Sequence, residues 1–106
     1  MQDSYCIYNG HLIGLYEPAI SFTNRAFRYG DSLFESIRYT NGKIMFLADH
    51  VKRLKLGMTA LRMNVPAEFT SVNIEQLMHH LLEQNKTAHE ARIRLTVFRN
   101  EGGFYT

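Results

Sequence analysis

Six residues carry the chemistry open to this chain: Tyr29, Phe34, Arg38, Arg53, Arg94 and Arg99. Four of them are arginines. A guanidinium offers planar, paired donors that match phosphate or carboxylate oxygens, and it keeps its charge at any working pH. Arg53 stands in His50-Val51-Lys52-Arg53-Leu54. Its type suits a phosphate, although a helix arginine beside an apolar stripe is ordinarily just solvated. Tyr29, Phe34 and Arg38 lie in the run from Asn24 to Arg38, where a polar, glycine-containing turn leads into a strand-like segment. In a regular strand over residues 33–40, Phe34, Ser36 and Arg38 share one face, and Leu33, Glu35, Ile37 and Tyr39 share the other. An arginine beside a phenylalanine suits something anionic and partly apolar. It suits equally a sheet face packed on another domain, with Arg38 pairing a carboxylate there. Arg94 and Arg99 fall on opposite faces of an unbroken strand, so both serve one pocket only if the strand bulges or ends early.

Other signals point away from chemistry. His79 and His80 are adjacent and diverge on a helix; Glu75 and Glu83 lie four residues from His79. With no H-E-x-x-H pattern behind them, these residues read as a wetted helix face and not as a metal site. Cys6 reads as a small core residue of a strand, with no neighbouring base to activate it. Gly30-Asp31-Ser32 lacks the G-x-S-x-G of a nucleophile elbow. Gly102-Gly103 reads as a turn.

The elements that must position these residues are legible from turn chemistry and periodicity. Asn9-Gly10 separates two short strands, residues 5–8 and 11–15, and Asn41-Gly42 separates residues 33–40 from 43–46. Asn-Gly is the strongest short signal for a type I′ hairpin. Leu47, Val51, Leu54, Met58 and Leu61 then repeat at helical spacing, with Asp49 as a cap near the start and Asn64 and Pro66 ending the helix. Ile74, Leu77, Met78, Leu81 and Leu82 mark a second amphipathic helix between Ser71 and Asn85. Residues 92–98 return to strand, with Ile93, Leu95 and Val97 on one face and Arg92, Arg94 and Thr96 on the other. This order predicts an α+β fold, an antiparallel sheet with two helices packed on one face. Gly102 to Tyr105 looks like a turn into a further strand that is cut short.

A length of 106 residues allows one domain with a modest core, and 45% hydrophobic and 21% charged residues are ordinary for a globular protein. The net charge of +2 is too small to suggest a nucleic-acid partner. An RNA-binding sheet is further disfavoured because the K/R-G-F/Y strand motif and the βαββαβ order are missing. A single cysteine and no apparent signal or membrane-spanning segment make the cytoplasm the expected location.

The ordered set of Tyr8-Asn9-Gly10, Tyr29-Gly30-Asp31, Phe34-Glu35, Asn41-Gly42, His50-x-x-Arg53-Leu54 and Arg99-x-x-Gly102-Gly103 resembles the N-terminal small domain of the class IV (fold-type IV) aminotransferases. That family includes branched-chain aminotransferase, D-amino-acid aminotransferase and 4-amino-4-deoxychorismate lyase. The resemblance spans nearly the whole chain. It implies a homodimeric enzyme that uses pyridoxal 5′-phosphate, with amino transfer between an amino acid and a 2-oxo acid as the reaction. The compact Arg99-to-Tyr105 ending is closer to the lyase, which eliminates pyruvate instead. By this resemblance Arg53 binds the cofactor phosphate, and Tyr29, Phe34, Arg38 and either Arg94 or Arg99 line the substrate pocket. The four lysines, Lys43, Lys52, Lys55 and Lys86, do not match the family's catalytic lysine. That lysine is expected in a second domain beyond Thr106, so no catalytic residue is assigned within residues 1–106. The competing expectation is a non-catalytic dimerisation or interaction module.

A front half standing alone would expose a partly apolar surface. Expressed by itself, the 106-residue chain is expected to self-associate or to be readily proteolysed. A monodisperse, protease-resistant monomer in light scattering and limited digestion would contradict this.

Overall fold

The Asn41-Gly42 pair sets the turn between two strands of the main sheet, while Asn9 of the other Asn-Gly pair lies outside the described residues. The computed structural model describes residues 5–8, 10–14 and 32–98. In it, β1 (Tyr5–Tyr8) pairs antiparallel with β2 (His11–Gly14), Tyr8 opposite His11. β3 (Ser32–Thr40) turns through Asn41 and Gly42, at φ 49° and 85°, into β4 (Lys43–Ile44). A type I′ turn requires positive φ at both central residues, and asparagine and glycine meet that requirement at the least steric cost.

β4 is shorter than the strand expected over residues 43–46. Met45 still donates its N–H to the Arg38 carbonyl at 2.8 Å. Phe46 then swings to φ 57° and ψ 34°, a left-handed step that is unfavourable for a bulky side chain. Its effect is to bring the chain straight into α1 (Leu47–Ala60). Phe46 is therefore the N-cap and no side chain caps the helix. Asp49, expected to be the cap, lies inside the first turn, where its charge complements the helix dipole. α1 also stops short of Asn64 and Pro66. Leu61 is its C-cap, Arg62 sits at φ 60°, and Met63 donates its N–H back to the Met58 carbonyl at 2.8 Å.

α2 (Ser71–Gln84) is capped by Thr70, whose hydroxyl accepts the Asn73 N–H at 3.2 Å. Ser71 is thus the first helical residue and not the residue before the helix. β5 (Glu90–Phe98) starts two residues earlier than expected and pairs antiparallel along the whole of β3, from Ser32↔Phe98 to Thr40↔Glu90. The larger sheet has the order β4-β3-β5, and the β1-β2 hairpin is a separate two-stranded sheet.

Alternation along β3 and β5 decides what lies beneath the helices. Ile37 and Ile93, directly paired across the two strands, are 0% and 8% exposed. They pack with Leu47 and Val51 of α1 and Ile74, Met78 and Leu82 of α2. Both helices therefore cover one face of the sheet, the α+β arrangement expected. A Cβ at Gly57 would lie 2.8 Å from Leu33 Cδ1, so the glycine lets α1 lie close on β3. Cys6 is half-buried, less enclosed than a core residue. Among the described residues no helix is long and apolar enough to cross a membrane.

Asn85 ties the small hairpin to this body. Tyr5 donates its N–H to Asn85 Oδ1 at 2.7 Å, and Asn85 Nδ2 donates to the Tyr5 carbonyl at 3.1 Å. The side-chain amide thus acts as a strand neighbour for β1. Asn85→Ala would leave two half-buried backbone groups without these partners, at an expected cost of about 1–3 kcal/mol. Hydrogen exchange at the Tyr5 amide should then be distinctly faster than in wild type. Unchanged protection would show that the pair contributes nothing.

Candidate functional site

β3 presents one carboxylate to the helix side. Glu35 lies on the same strand face as Leu33, Ile37 and Tyr39, and its side chain is 16% exposed. A carboxylate so placed must be paired or hydrogen-bonded to remain charged. α1 supplies the partners. His50 and Arg53 are three residues apart and so project from the same side of the helix.

His50 Nδ1 lies 2.6 Å from Glu35 Oε1. Arg53 donates from Nη2 to Oε1 at 2.9 Å, and from Nε to Oε1 and Oε2 at 3.2 Å each. Arg53 Nη2 also stands 3.3 Å from His50 Nδ1. The shorter contact assigns the tautomer: Nδ1 carries a proton toward the carboxylate, because a bare nitrogen would face oxygen lone pairs. The hydrogen bond from Arg53, followed by that from His50, holds the Glu35 carboxyl below the usual glutamate value of 4.5. In return Glu35 raises the affinity of Arg53 for its proton.

Glu35 fixes the Nε–Nη2 edge of the guanidinium, yet the Arg53 side chain remains 61% exposed. Among the described residues no hydrogen bond engages Nη1. Arg53 therefore presents an anchored, oriented cation to solvent, the geometry a phosphate or carboxylate oxygen requires.

The other sequence candidates lie across the sheet from Glu35. Phe34, Ser36 and Arg38 occupy the outer face of β3, opposite Thr96, Arg94 and Arg92 of β5. The Arg94 guanidinium stacks over the Phe34 ring at 4.1 Å from its centroid. Arg38 Nη2 reaches Glu90 Oε1 at 3.8 Å, a pairing with a carboxylate of its own sheet. Arg53 thus sits on one side of β3, and Phe34, Arg38 and Arg94 on the other. On the β4 side only Tyr39 and Thr40 are paired, with Met45 bonding the Arg38 carbonyl, which leaves the Ser32–Ile37 stretch open among the described residues. Tyr29 and Arg99 lie outside the described residues.

Sequence reasoning missed Glu35 and used His50 only as part of a motif. A signal was present. Glu35 is the single carboxylate among the apolar positions of its strand face, and such a residue calls for a cationic partner. The groove along α2, about 480 Å³ and lined by Val72, Glu75, Gln76, His79, His80 and Glu83, lies apart from this cluster. There His79 pairs with Glu75 at 3.7 Å and meets the Tyr39 ring edge-on at 6.3 Å.

The lowered Glu35 value has a signed consequence. A carboxyl whose folded value is depressed contributes stability that is fully present above its unfolded value, here 4.5, and that is lost as pH falls through the folded value. Glu35→Gln should therefore lower the melting temperature at neutral pH, with the gap to wild type narrowing as pH drops below 4.5. A gap independent of pH in thermal melts would show that the Glu35 charge contributes nothing to folding.

The profile of the family described as amino-transferase class IV matches residues 32–106. A D-alanine aminotransferase of Bacillus licheniformis is 25% identical over 99 residues, covering 93% of this chain and 30% of that protein. A putative branched-chain-amino-acid aminotransferase of Methanocaldococcus jannaschii is 30% identical over 97 residues, with 89% and 32% covered. A probable branched-chain-amino-acid aminotransferase of Rickettsia bellii is 29% identical over 96 residues, again with 89% and 32% covered. The chain spans about a third of the length of these curated relatives. The matched profile takes in β3 with Phe34, Glu35 and Arg38, α1 with His50 and Arg53, and β5 with Arg94, so the chain belongs to the class IV aminotransferase family.

Proposed function

We propose that this chain forms the cofactor-phosphate and substrate side of an enzyme that transfers an amino group between an amino acid and a 2-oxo acid. The observation carrying the reading is Arg53. Its guanidinium is locked on one edge by Glu35 and His50 and open on the other, which suits a phosphate monoester. Pyridoxal 5′-phosphate is the cofactor of this reading, and when bound it supplies the electron sink for bond breaking at the amino-acid α-carbon.

The roles of this chain's residues follow from their chemistry. Arg53 neutralises phosphate charge and, held by Glu35, does so without reorganising its side chain. Phe34 offers an apolar wall, and Arg94, stacked on it, offers a fork for the substrate carboxylate. Arg38 adds a second cation on the same face. Tyr29 and Arg99 belong to the same pocket in this reading. The lysine that bonds the cofactor is placed beyond Thr106, and the working enzyme is read as a cytoplasmic homodimer.

The test is intact mass spectrometry of the complete reading frame's product after pyridoxal phosphate addition and borohydride reduction. A single cofactor fixed to a lysine beyond Thr106, with amino transfer from an amino acid to a 2-oxo acid, is the expected result. Arg53→Gln should weaken cofactor binding about 10- to 100-fold, as loss of a charge-assisted hydrogen bond does. No lysine adduct, or unchanged cofactor affinity in Arg53→Gln, would overturn the assignment.

A further inference from the structure

The turn between β3 and β4 exposes two adjacent residues that can react with each other. Asn41 and Gly42 both lie open to solvent. Among the described residues no hydrogen bond holds the Asn41 carboxamide or the Gly42 N–H. A Cβ placed at Gly42 would meet nothing within 4 Å, and glycine itself carries no side chain to cover its nitrogen.

The other described asparagines are protected. Asn73 Nδ2 donates to the Glu68 carbonyl at 3.0 Å, and the next N–H, that of Ile74, donates to the Thr70 carbonyl at 2.9 Å. Asn85 has both side-chain atoms on Tyr5, and the N–H of Lys86 donates to the Glu83 carbonyl at 3.0 Å. Asn64 is exposed but precedes Val65, whose stiff, branched side chain crowds the same nitrogen.

We propose that Asn41 is a site of spontaneous modification, converted by water to aspartate and isoaspartate, and that the isoaspartyl form loosens the start of α1. The Gly42 nitrogen, having lost its proton to hydroxide, attacks Asn41 Cγ. A nitrogen–Cγ bond forms, the Cγ–Nδ2 bond breaks, and the departing nitrogen takes a proton from water and leaves as ammonia. The resulting cyclic imide then takes up one water. Opening at Cγ gives aspartate. Opening at the main-chain carbonyl gives isoaspartate, in which the chain runs through Cβ and Cγ. The ladder that must yield for the two atoms to meet is short. β4 has two residues, paired as Tyr39↔Ile44 and Thr40↔Lys43, and so small a ladder opens locally at low cost.

The two products differ in consequence. Asp-Gly is a favoured type I′ pair, so aspartate keeps the turn. Isoaspartate adds a main-chain atom between β3 and β4 and shifts Lys43 and Ile44 out of register. Met45, whose N–H donates to the Arg38 carbonyl at 2.8 Å, and Phe46, which turns the chain into α1, follow directly. The added atom therefore enters the connection that sets His50 and Arg53 over Glu35.

The experiment holds the complete reading frame's product in heavy-oxygen water at mildly acidic and mildly alkaline pH, then maps its peptides by mass spectrometry. Asn41 should take up a heavy oxygen before Asn64, Asn73 and Asn85, and faster at the alkaline pH. An isoaspartyl methyltransferase should label the same peptide. The Met45 and His50 amides, bonded to the Arg38 and Phe46 carbonyls, report the connection. In the isoaspartyl form both should exchange about tenfold faster than in fresh protein, as loss of a hydrogen bond implies. Asn41→Gly keeps a favoured turn pair and has no amide to lose, so it should age without that change. Conversion at Asn41 no faster than at Asn64, Asn73 and Asn85 overturns the site. Unchanged exchange in the isoaspartyl form, or equal acceleration in aged Asn41→Gly, overturns its link to α1.

Discussion

The half-buried carboxylate of Glu35 is the constraint on which the arrangement depends. It sits on the face of β3 that the helices cover, where an unpaired charge would be costly. His50 and Arg53 resolve that cost together, one by a 2.6 Å contact and the other by a forked one. The pairing does two things at once. It stitches α1 to β3 beside the apolar cluster, and it turns a long, flexible arginine into a fixed donor aimed outward.

The short connection from β4 to α1 makes that pairing possible. Phe46 takes a left-handed backbone that a phenylalanine does not favour, and it is 69% exposed, so its side chain gains little burial in exchange. The helix gains position. It starts immediately, lies close on β3 through Gly57, and sets His50 and Arg53 over Glu35. A longer loop would let α1 slide along the sheet and would lose the register between strand and helix.

The same strand serves two environments because its side chains alternate. Ile37 and Glu35 turn inward, one into the core and the other to the helix cations, while Phe34, Ser36 and Arg38 turn outward. β4 pairs with β3 only at Tyr39 and Thr40, which leaves that edge open over Ser32–Ile37 among the described residues. The class IV family match spans all of these elements. A single strand thus carries the Glu35–Arg53 pairing on one side and Phe34 and Arg38 on the other.

Local sterics and periodicity made much of this legible in the sequence. The Asn41-Gly42 turn, both amphipathic helices, the faces of β3 and β5 and the α+β class follow from short-range rules that act within a few residues. The motif order around His50, Arg53 and Leu54 identified the family. The helix ends were less legible, since Phe46 and Thr70 cap where Asp49 and Ser71 were expected. A cap depends on how the preceding segment enters the helix, which packing decides. Only the tertiary structure joined Glu35 to His50 and Arg53, 15 and 18 residues away, and set Arg38 against Arg92, 54 residues away in the chain. Contacts at that separation have no local signature. They exist because one αL turn and one strand register bring distant side chains to the same place.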